Sequence, residues 1–199
     1  YYTHSSVLKI YFYINELNDT QKENLNQLKN INIIYRNYKK ENYEKNAAIL
    51  SRYCKKKRFK FYISNDEKLA VRLNCNGIYL PSFNTKKYFS NTRFNIIGSA
   101  HNEVEIRKKI SQGCKEIFLS PIFDTFSEYS KRGIGLNFYR KIKSSFYNKA
   151  KIHALGGINE KNINKIIVSN SPGFSSISFI EKQLNKKLIS FLKLIATDN

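Results

Sequence analysis

The chain has 199 residues, 41% hydrophobic and 25% charged, the balance of a folded globular protein with one sizeable core rather than of a disordered one. Lys and Arg number 35 against 15 Asp and Glu, a formal charge of +20, which fits either nucleic acid or small anions drawn to a Lys-rich solvated surface. No apolar run is long enough to span a bilayer and no signal-peptide pattern opens the chain, so a cytoplasmic location is expected; Met is absent and residue 1 is Tyr, so the native N-terminus is not expected at residue 1.

Short apolar runs alternate with helical patterns. The first strand is predicted at Leu8–Ile14, and Asp19 can cap a helix carrying Leu25 and Leu28. Strand two, Ile31–Tyr35, precedes a helix over Glu41–Tyr53. The densest basic run, Lys55-Lys56-Lys57-Arg58, falls between that helix and strand three, Phe59–Ile63. Asp66 opens the next helix, with Leu69, Ala70 and Leu73, and Asn74 suits a left-handed cap before strand four, Gly77–Leu80. Residues Pro81–Arg93 hold at most a turn of helix. Strand five is Phe94–Ile97, and Asn102 can cap a helix with Val104, Ile106 and Ile110; Gly113 then suits the left-handed position before strand six, Glu116–Leu119. Phe138 and Ile142 share a helical face ahead of strand seven, Lys151–Leu155. Ile163, Ile166 and Ile167 do so ahead of strand eight, Ser175–Phe179, and a last helix carries Leu184, Leu188, Ile189, Phe191, Leu192 and Ile195.

Eight β units with helical crossovers predict a single-domain α/β fold over residues 1–199, a (βα)8 TIM barrel with short loops. An open doubly wound sheet is the alternative, but strand one runs into Asn15-Glu16-Leu17 with no glycine fingerprint. Two segments carry a phosphate-binding signal. Ala154-Leu155-Gly156-Gly157-Ile158-Asn159 ends strand seven and opens a helix, and the segment Gly173 to Ser178 sits at strand eight with Ser178 at its end. Paired glycines at such a junction let N–H groups converge on an anion, and barrels often bind phosphate at these two loops.

Polar residues at the other C-terminal strand ends are Arg36, Asn37, Ser64, Asn65, Asp66, Ser82, Asn84, Ser99, His101, Ser120, Thr125 and Ser127. Arg36, beside apolar Ile33 and Ile34, calls for an anionic partner. Asp66 reads as a helix cap or a metal ligand, and His101 as a helix-start residue or an acid/base. His101 and His153 have no Ser/Asp or Cys partner at a nucleophile-activating spacing, and the aromatics read as core. Cys54, Cys75 and Cys114 show no CxxC or Cys/His metal spacing and read as buried free thiols. Basic residues are scattered over most helices, and no zinc-finger spacing or RNP-type aromatic motif is present, so the small-anion partner is preferred over nucleic acid.

These residues resemble the thiamine phosphate synthase family and the related thiazole tautomerases over nearly the whole chain, most strongly from Ser64 to Ile180. Asn65-Asp66 resembles the family's Asn-Asp after strand three, Gly77-Ile78-Tyr79-Leu80 its Gly-Val-His-Leu, and Gly98-Ser99-Ala100-His101 its Gly-x-Ser-x-His. Ser120-Pro121-Ile122-Phe123-Asp124-Thr125 resembles its Gly/Ser-Pro-x-Phe-x-Thr, Ala154 to Asn159 with Asn162 its Ala-Ile-Gly-Gly-Ile segment, and Ser176-Ile177-Ser178 its Val-Ile-Ser. The resemblance implies the joining of a pyrimidine methyl diphosphate to a thiazole phosphate, with release of pyrophosphate. It implies that Gly156, Gly157, Ile177 and Ser178 hold the thiazole phosphate, that Arg36, Asn65 and Ser99 hold the diphosphate, that Thr125 and Ser127 lie near both substrates, and that Asp66 binds Mg²⁺. The chain departs from the family where its Gln-x-Arg-x-Lys becomes Ile34-Tyr35-Arg36-Asn37-Tyr38, where the second Mg²⁺ carboxylate falls at Asn84, and where a Lys falls at Glu128. Lys39, Lys131 and Arg132 are the adjacent cations. Two other outcomes are carried: a tautomerase-like isomerase with His101 as acid/base, and a non-catalytic protein binding a thiamine precursor or nucleic acid.

Overall fold

A computed structural model describes residues 8–37, 41–88, 94–125 and 131–196. Eight parallel strands close into a barrel in sequence order: β1 (Lys9–Ile14), β2 (Ile31–Tyr35), β3 (Lys60–Ser64), β4 (Gly77–Leu80), β5 (Asn95–Ala100), β6 (Glu116–Leu119), β7 (Lys151–Leu155) and β8 (Gly173–Ser176). Closure comes from β1 pairing β8, with Lys9 opposite Gly173 and Phe12 opposite Ser176. The helices are α1 (Asp19–Asn26), α2 (Tyr43–Lys57), α3 (Glu67–Arg72), α4 (Glu103–Ser111), α5 (Leu136–Ser145), α6 (Ile163–Val168) and α7 (Lys186–Ile195). The barrel expectation holds because nearly every strand residue is buried on one face or the other, as in β2, where all five are. Among the described residues, no helix is long and apolar enough to cross a membrane.

Two apolar layers result. The larger lies between strands and helices, with Ile10, Phe12, Ile33, Ile63, Ile106, Ile142, Ile166 and Leu192 buried in it. The barrel interior is built from Tyr11, Tyr13, Ile34, Tyr62, Tyr79, Ile97 and Phe118. It is aromatic where barrels of this kind more often use branched aliphatic side chains. Tyr11 packs edge-on to Phe118 at 4.9 Å between centroids, and Tyr13 edge-on to Tyr79 at 5.4 Å. The three cysteines are buried and free, and burial pushes the Cys75 and Cys114 thiols up to about 12, which keeps them protonated and inert.

Local chemistry sets the element ends, with some shifts from the sequence expectation. The α1 cap is Asn18 and not Asp19: the Asn18 side chain accepts from the Gln21 N–H, and the Gln21 side chain accepts from the Asn18 N–H in return. Asp66 and Asn102 cap α3 and α4 as expected, by accepting from the N–H groups of Leu69 and Glu105 at 2.9 Å. Asn74 and Gly113 take the left-handed positions expected of them, with φ of 50° and 92°. The basic run belongs to α2, with Lys55, Lys56 and Lys57 in its last turn, where cations favour the helix dipole, and Arg58 at its cap. Strand eight starts and ends earlier than expected, so Ile177, Ser178 and Phe179 lie in the turn that follows it. Residues 81–88 contain no helix.

Candidate functional site

The C-terminal strand ends form one rim, and its β6–β8 side is the more constrained. Gly156 and Gly157 have φ of 90° and 68°. A Cβ on Gly156 would lie 2.7 Å from Pro121 Cα, and one on Gly157 would lie 2.5 Å from the Asp124 carbonyl oxygen. The turn is therefore wedged against the loop that follows β6, which begins with a cis Ser120–Pro121 peptide. Backbone bonds join the two loops: Ile122 N–H donates to Leu155 O at 2.9 Å and Phe123 N–H to Gly156 O at 3.2 Å. The Gly157 carbonyl accepts from Asn162 Nδ2 at 2.8 Å and Asn159 Nδ2 at 3.2 Å, while the N–H groups of Gly156 and Gly157 find no acceptor among the described residues. Two N–H donors thus stay open at one turn, as a phosphate requires. The turn does not run directly into a helix; residues 158–162 intervene before α6.

β8 is the neighbour of β7, with Ser175 opposite Leu155. Ile177 is 40% exposed and Ser178 is exposed, both in the turn beyond Ser176. That turn leads into a segment pinned from α1. The buried Asn24 donates through Nδ2 to Ile180 O at 3.1 Å and Lys182 O at 2.8 Å, and its Oδ1 accepts from Leu184 N–H at 3.0 Å. Asn24→Ala leaves two buried backbone groups and a third, partly buried one without their partner and is expected to cost about 2–3 kcal/mol, lowering Tm by roughly 4–12 °C in a calorimetric scan.

On the opposite side, the Arg36 guanidinium carbon stands 4.7 Å over the Tyr13 ring, a cation–π contact that orients the half-buried cation at the end of β2. Tyr79, at the position of the family's strand-four histidine, donates its hydroxyl to Ser99 Oγ at 2.8 Å. That bond fills a lone pair of Ser99 and leaves the serine proton free to donate elsewhere. Asn65 occupies a left-handed conformation, φ 60°, and its Oδ1 accepts from Asn84 Nδ2 at 2.7 Å. Ser64, 5% exposed, has a buried hydroxyl oxygen with no partner among the described residues. Asp66 is half-buried; one carboxylate oxygen caps α3, and the other makes no hydrogen bond among the described residues. Asn84 Oδ1 already accepts from Lys86 N–H and Gln112 Nε2. No group of three or more His, Cys, Asp and Glu side chains is placed to hold a metal among the described residues. One open carboxylate oxygen nonetheless fits Mg²⁺, which usually takes one or two carboxylates and fills its remaining positions with water and ligand phosphate oxygens.

Other predicted residues are committed locally. Thr125 Oγ1 accepts from Lys131 N–H at 3.1 Å, across an isolated bridge that closes the loop after β6. Lys131 and Arg132 are exposed on that loop. Ser127, Glu128 and Lys39 lie outside the described residues. His101 has a carboxylate partner one helical turn on: its backbone N–H and Nδ1 meet the same Glu105 oxygen, at 2.8 and 3.0 Å.

His153 also has a partner, at the other end of the barrel. Its Nε2 lies 2.9 Å from Glu116 Oε2, and Glu116 also accepts from Tyr11 at 2.6 Å and Lys9 at 2.5 Å. These residues belong to the N-terminal half of the strands, where barrels carry stability rather than catalysis. The residues that sequence reasoning missed are Tyr13, the floor beneath Arg36; Tyr79, the partner of Ser99; and Lys109 with Gln112, which grip the β4–β5 loop. Lys109 shares the Ile106 face of its helix, which marks it as an inward residue by spacing alone.

A sequence model of the family described as thiamine monophosphate synthase matches residues 15–180. Among similar curated proteins, the thiamine-phosphate synthase of one strain of Prochlorococcus marinus is 32% identical over 126 residues, covering 60% of this chain and 35% of that protein. The chain thus spans about a third of that relative's length. The thiamine-phosphate synthase of Clostridium perfringens strain 13 is 26% identical over 191 residues, covering 92% of this chain and 90% of that protein. Among solved structures, a thiamine phosphate pyrophosphorylase from Pyrococcus furiosus superposes with a TM-score of 0.75 at 19% identity, covering 98% of both chains, a match of fold.

Proposed function

As the chain belongs to the thiamine monophosphate synthase family, we propose that it works in thiamine biosynthesis as a transferase, joining hydroxymethylpyrimidine diphosphate to thiazole phosphate with release of pyrophosphate. The observation that carries this reading is the wedged Gly156–Gly157 turn with its two open N–H donors. In this reading those donors, with Ile177 and Ser178, hold the thiazole phosphate. Arg36, Asn65 and Ser99 hold the diphosphate, and Thr125 and Ser127 lie near both substrates. Asp66 would hold a Mg²⁺ ion, which supplies positive charge to the diphosphate when bound.

The bond that forms joins the thiazole nitrogen to the pyrimidine methylene carbon; the bond that breaks joins that carbon to the diphosphate oxygen. The leaving oxygen gains negative charge, and Arg36, held over the Tyr13 ring, supplies fixed positive charge to it without reorganising. Ser99, whose oxygen accepts from Tyr79, donates its own proton to a diphosphate oxygen. Small phosphorylated molecules are the partners, the location is the cytoplasm, and the +20 charge draws in anionic substrates rather than nucleic acid.

A second reading rests on one observation, the carboxylate of Glu105 on His101 Nδ1, which fixes the ring as an acid/base pair would for a tautomerase-like isomerase. The test is turnover of the purified protein. Pyrophosphate release that needs both substrates and Mg²⁺ is expected. Proton exchange on thiazole phosphate alone, lost in His101→Asn, would replace the first reading with the second. Thiazole phosphate binding without either reaction would overturn both.

A further inference from the structure

Lys109 is 1% exposed and has no carboxylate partner among the described residues. Its ammonium donates to the Pro81 carbonyl at 2.6 Å, the Asn84 carbonyl at 2.9 Å and Gln112 Oε1 at 2.9 Å. All three of its donors are therefore used, two of them on the loop after β4. An ammonium cannot accept, so this bond fixes the orientation of the next amide. Gln112 must present oxygen to Lys109 and nitrogen to the loop. Its Nε2 accordingly meets the Lys86 carbonyl at 2.7 Å, the Asn84 carbonyl at 3.0 Å and Asn84 Oδ1 at 3.2 Å. Lys86 N–H donates to the same Asn84 Oδ1 at 2.9 Å. With its oxygen fixed by two donors, Asn84 must turn its nitrogen outward, and that nitrogen donates to Asn65 Oδ1 at 2.7 Å.

The last amide in the line is Asn65, at the C-terminal end of β3. With Oδ1 occupied by Asn84, its free group is the NH₂, which makes no hydrogen bond among the described residues. We infer that Lys109, Gln112 and Asn84 are positioning residues that fix the polarity of Asn65, so that it presents N–H donors, and not its oxygen, to an anionic ligand. This rests on the reading that a diphosphate sits at this rim. It gives the buried lysine a function at a distance: its inability to accept is passed through two amides and emerges as a donor on a third. The relay in this chain uses the asparagine at 84: an aspartate there could only accept and, with no metal ion bound to it, would draw the Asn65 amide round to donate to it, turning the Asn65 oxygen to the rim beside the Asp66 carboxylate.

The experiment compares wild type, Asn84→Asp and Asn84→Ala by calorimetric titration with inorganic pyrophosphate in the absence of divalent metal, and with Mn²⁺ alone. Asn84→Asp is expected to bind pyrophosphate roughly ten- to a hundredfold more weakly, the worth of a charge-assisted hydrogen bond exchanged for a repulsion. The same variant is expected to bind Mn²⁺ roughly tenfold or more tightly than wild type, since three oxygens would then face one point. Asn84→Ala, which frees Asn65 to rotate, should weaken pyrophosphate severalfold and leave Mn²⁺ unchanged. A merely structural role for Asn84 would weaken both ligands or neither. Equal pyrophosphate affinity in wild type and Asn84→Asp overturns the inference, and if both variants still turn over substrate the proposed reaction stands without it. Absence of pyrophosphate binding by wild type overturns the inference and the diphosphate half of the proposed reaction together.

Discussion

Gly157→Ala is expected to weaken thiazole phosphate binding at least a hundredfold while leaving pyrophosphate affinity within about twofold of wild type. At φ 68° an alanine is strained by about 1–2 kcal/mol. Its methyl would also stand 2.5 Å from the Asp124 oxygen and 2.7 Å from the Phe123 oxygen, both backbone atoms that cannot rotate away. Relief requires the loop after β6 to retreat, and overpacking of this kind costs about 1–3 kcal/mol more. The retreat pulls on Phe123 N–H, which donates to Gly156 O, and so shifts the turn that carries both open N–H groups. Titration with thiazole phosphate and with pyrophosphate separates the effects. Equal loss of both ligands would show a general collapse of the rim. Unchanged thiazole phosphate binding would remove the glycine turn from the site.

The second large effect lies at the opposite end of the barrel. Glu116→Ala strips the acceptor from Lys9, Tyr11 and His153, the last two of which are fully buried. Breaking such a network leaves buried donors and a charge without compensation, at about 3–5 kcal/mol, and Tm should fall by roughly 6–20 °C. Substrate affinity measured well below the new Tm should not change, because none of these groups belongs to the C-terminal rim.

The same network makes the wild type acid-sensitive in two stages. Burial pulls the His153 pKa below its ordinary 6.5, and the geometry agrees. Its Nδ1 has no partner among the described residues and faces Gly173, where even a Cβ would come within 2.5 Å, so a second ring proton would find no acceptor. The unfolded chain accepts that proton as pH falls through 6.5, so stability declines on acidification there. Burial alone would raise the Glu116 carboxyl, but hydrogen bonds from His153, Lys9 and Tyr11 hold it well below the usual carboxylate range. Its contribution is complete above the ordinary 4.5 and is lost below it. Denaturant midpoints should therefore fall as pH drops from about 7 to 5 and fall further below about 4.5. Glu116→Ala should lack the lower stage. A midpoint independent of pH between about 7 and 4 in wild type would contradict the charge assignment.

What could be read from the sequence follows the range of the interactions involved. Ile31–Tyr35, Gly77–Leu80, Glu116–Leu119 and Lys151–Leu155 match their strands because a run buried on both faces is written in consecutive residues. The caps Asp66 and Asn102 are equally local. Asn18 and Asp19 are both good cap types, and the choice between them depended on the Gln21 side chain returning the bond. Strand eight slipped because Gly173 and Phe174, not Ile177 and Phe179, align with β1. Glu116 and His153 are 37 residues apart, and their meeting depends on barrel register. Lys109 shares an apolar helix face, but 35 basic residues scattered over the chain mask a single inward one. On the site, the glycine turn was legible because its chemistry is contained in two adjacent residues. The polarity of Asn65 was not, because it is set by residues on another strand loop and another helix.

The pairing of β1 with β8 also orders events in time. Lys9 to Phe12 bond with Gly173 to Ser176, and Lys9 reaches Glu116, so residues made earlier wait for others made more than a hundred positions later. A ribosome has to release β8 before the ring that begins with β1 can shut, and contacts of such sequence separation slow the search for the native state. Until then the aromatic lining of Tyr11, Tyr13 and Tyr62 is uncovered along an open sheet edge. Between the emergence of β1 and the arrival of β8, apolar surface that the closed ring hides is open to contact with other chains.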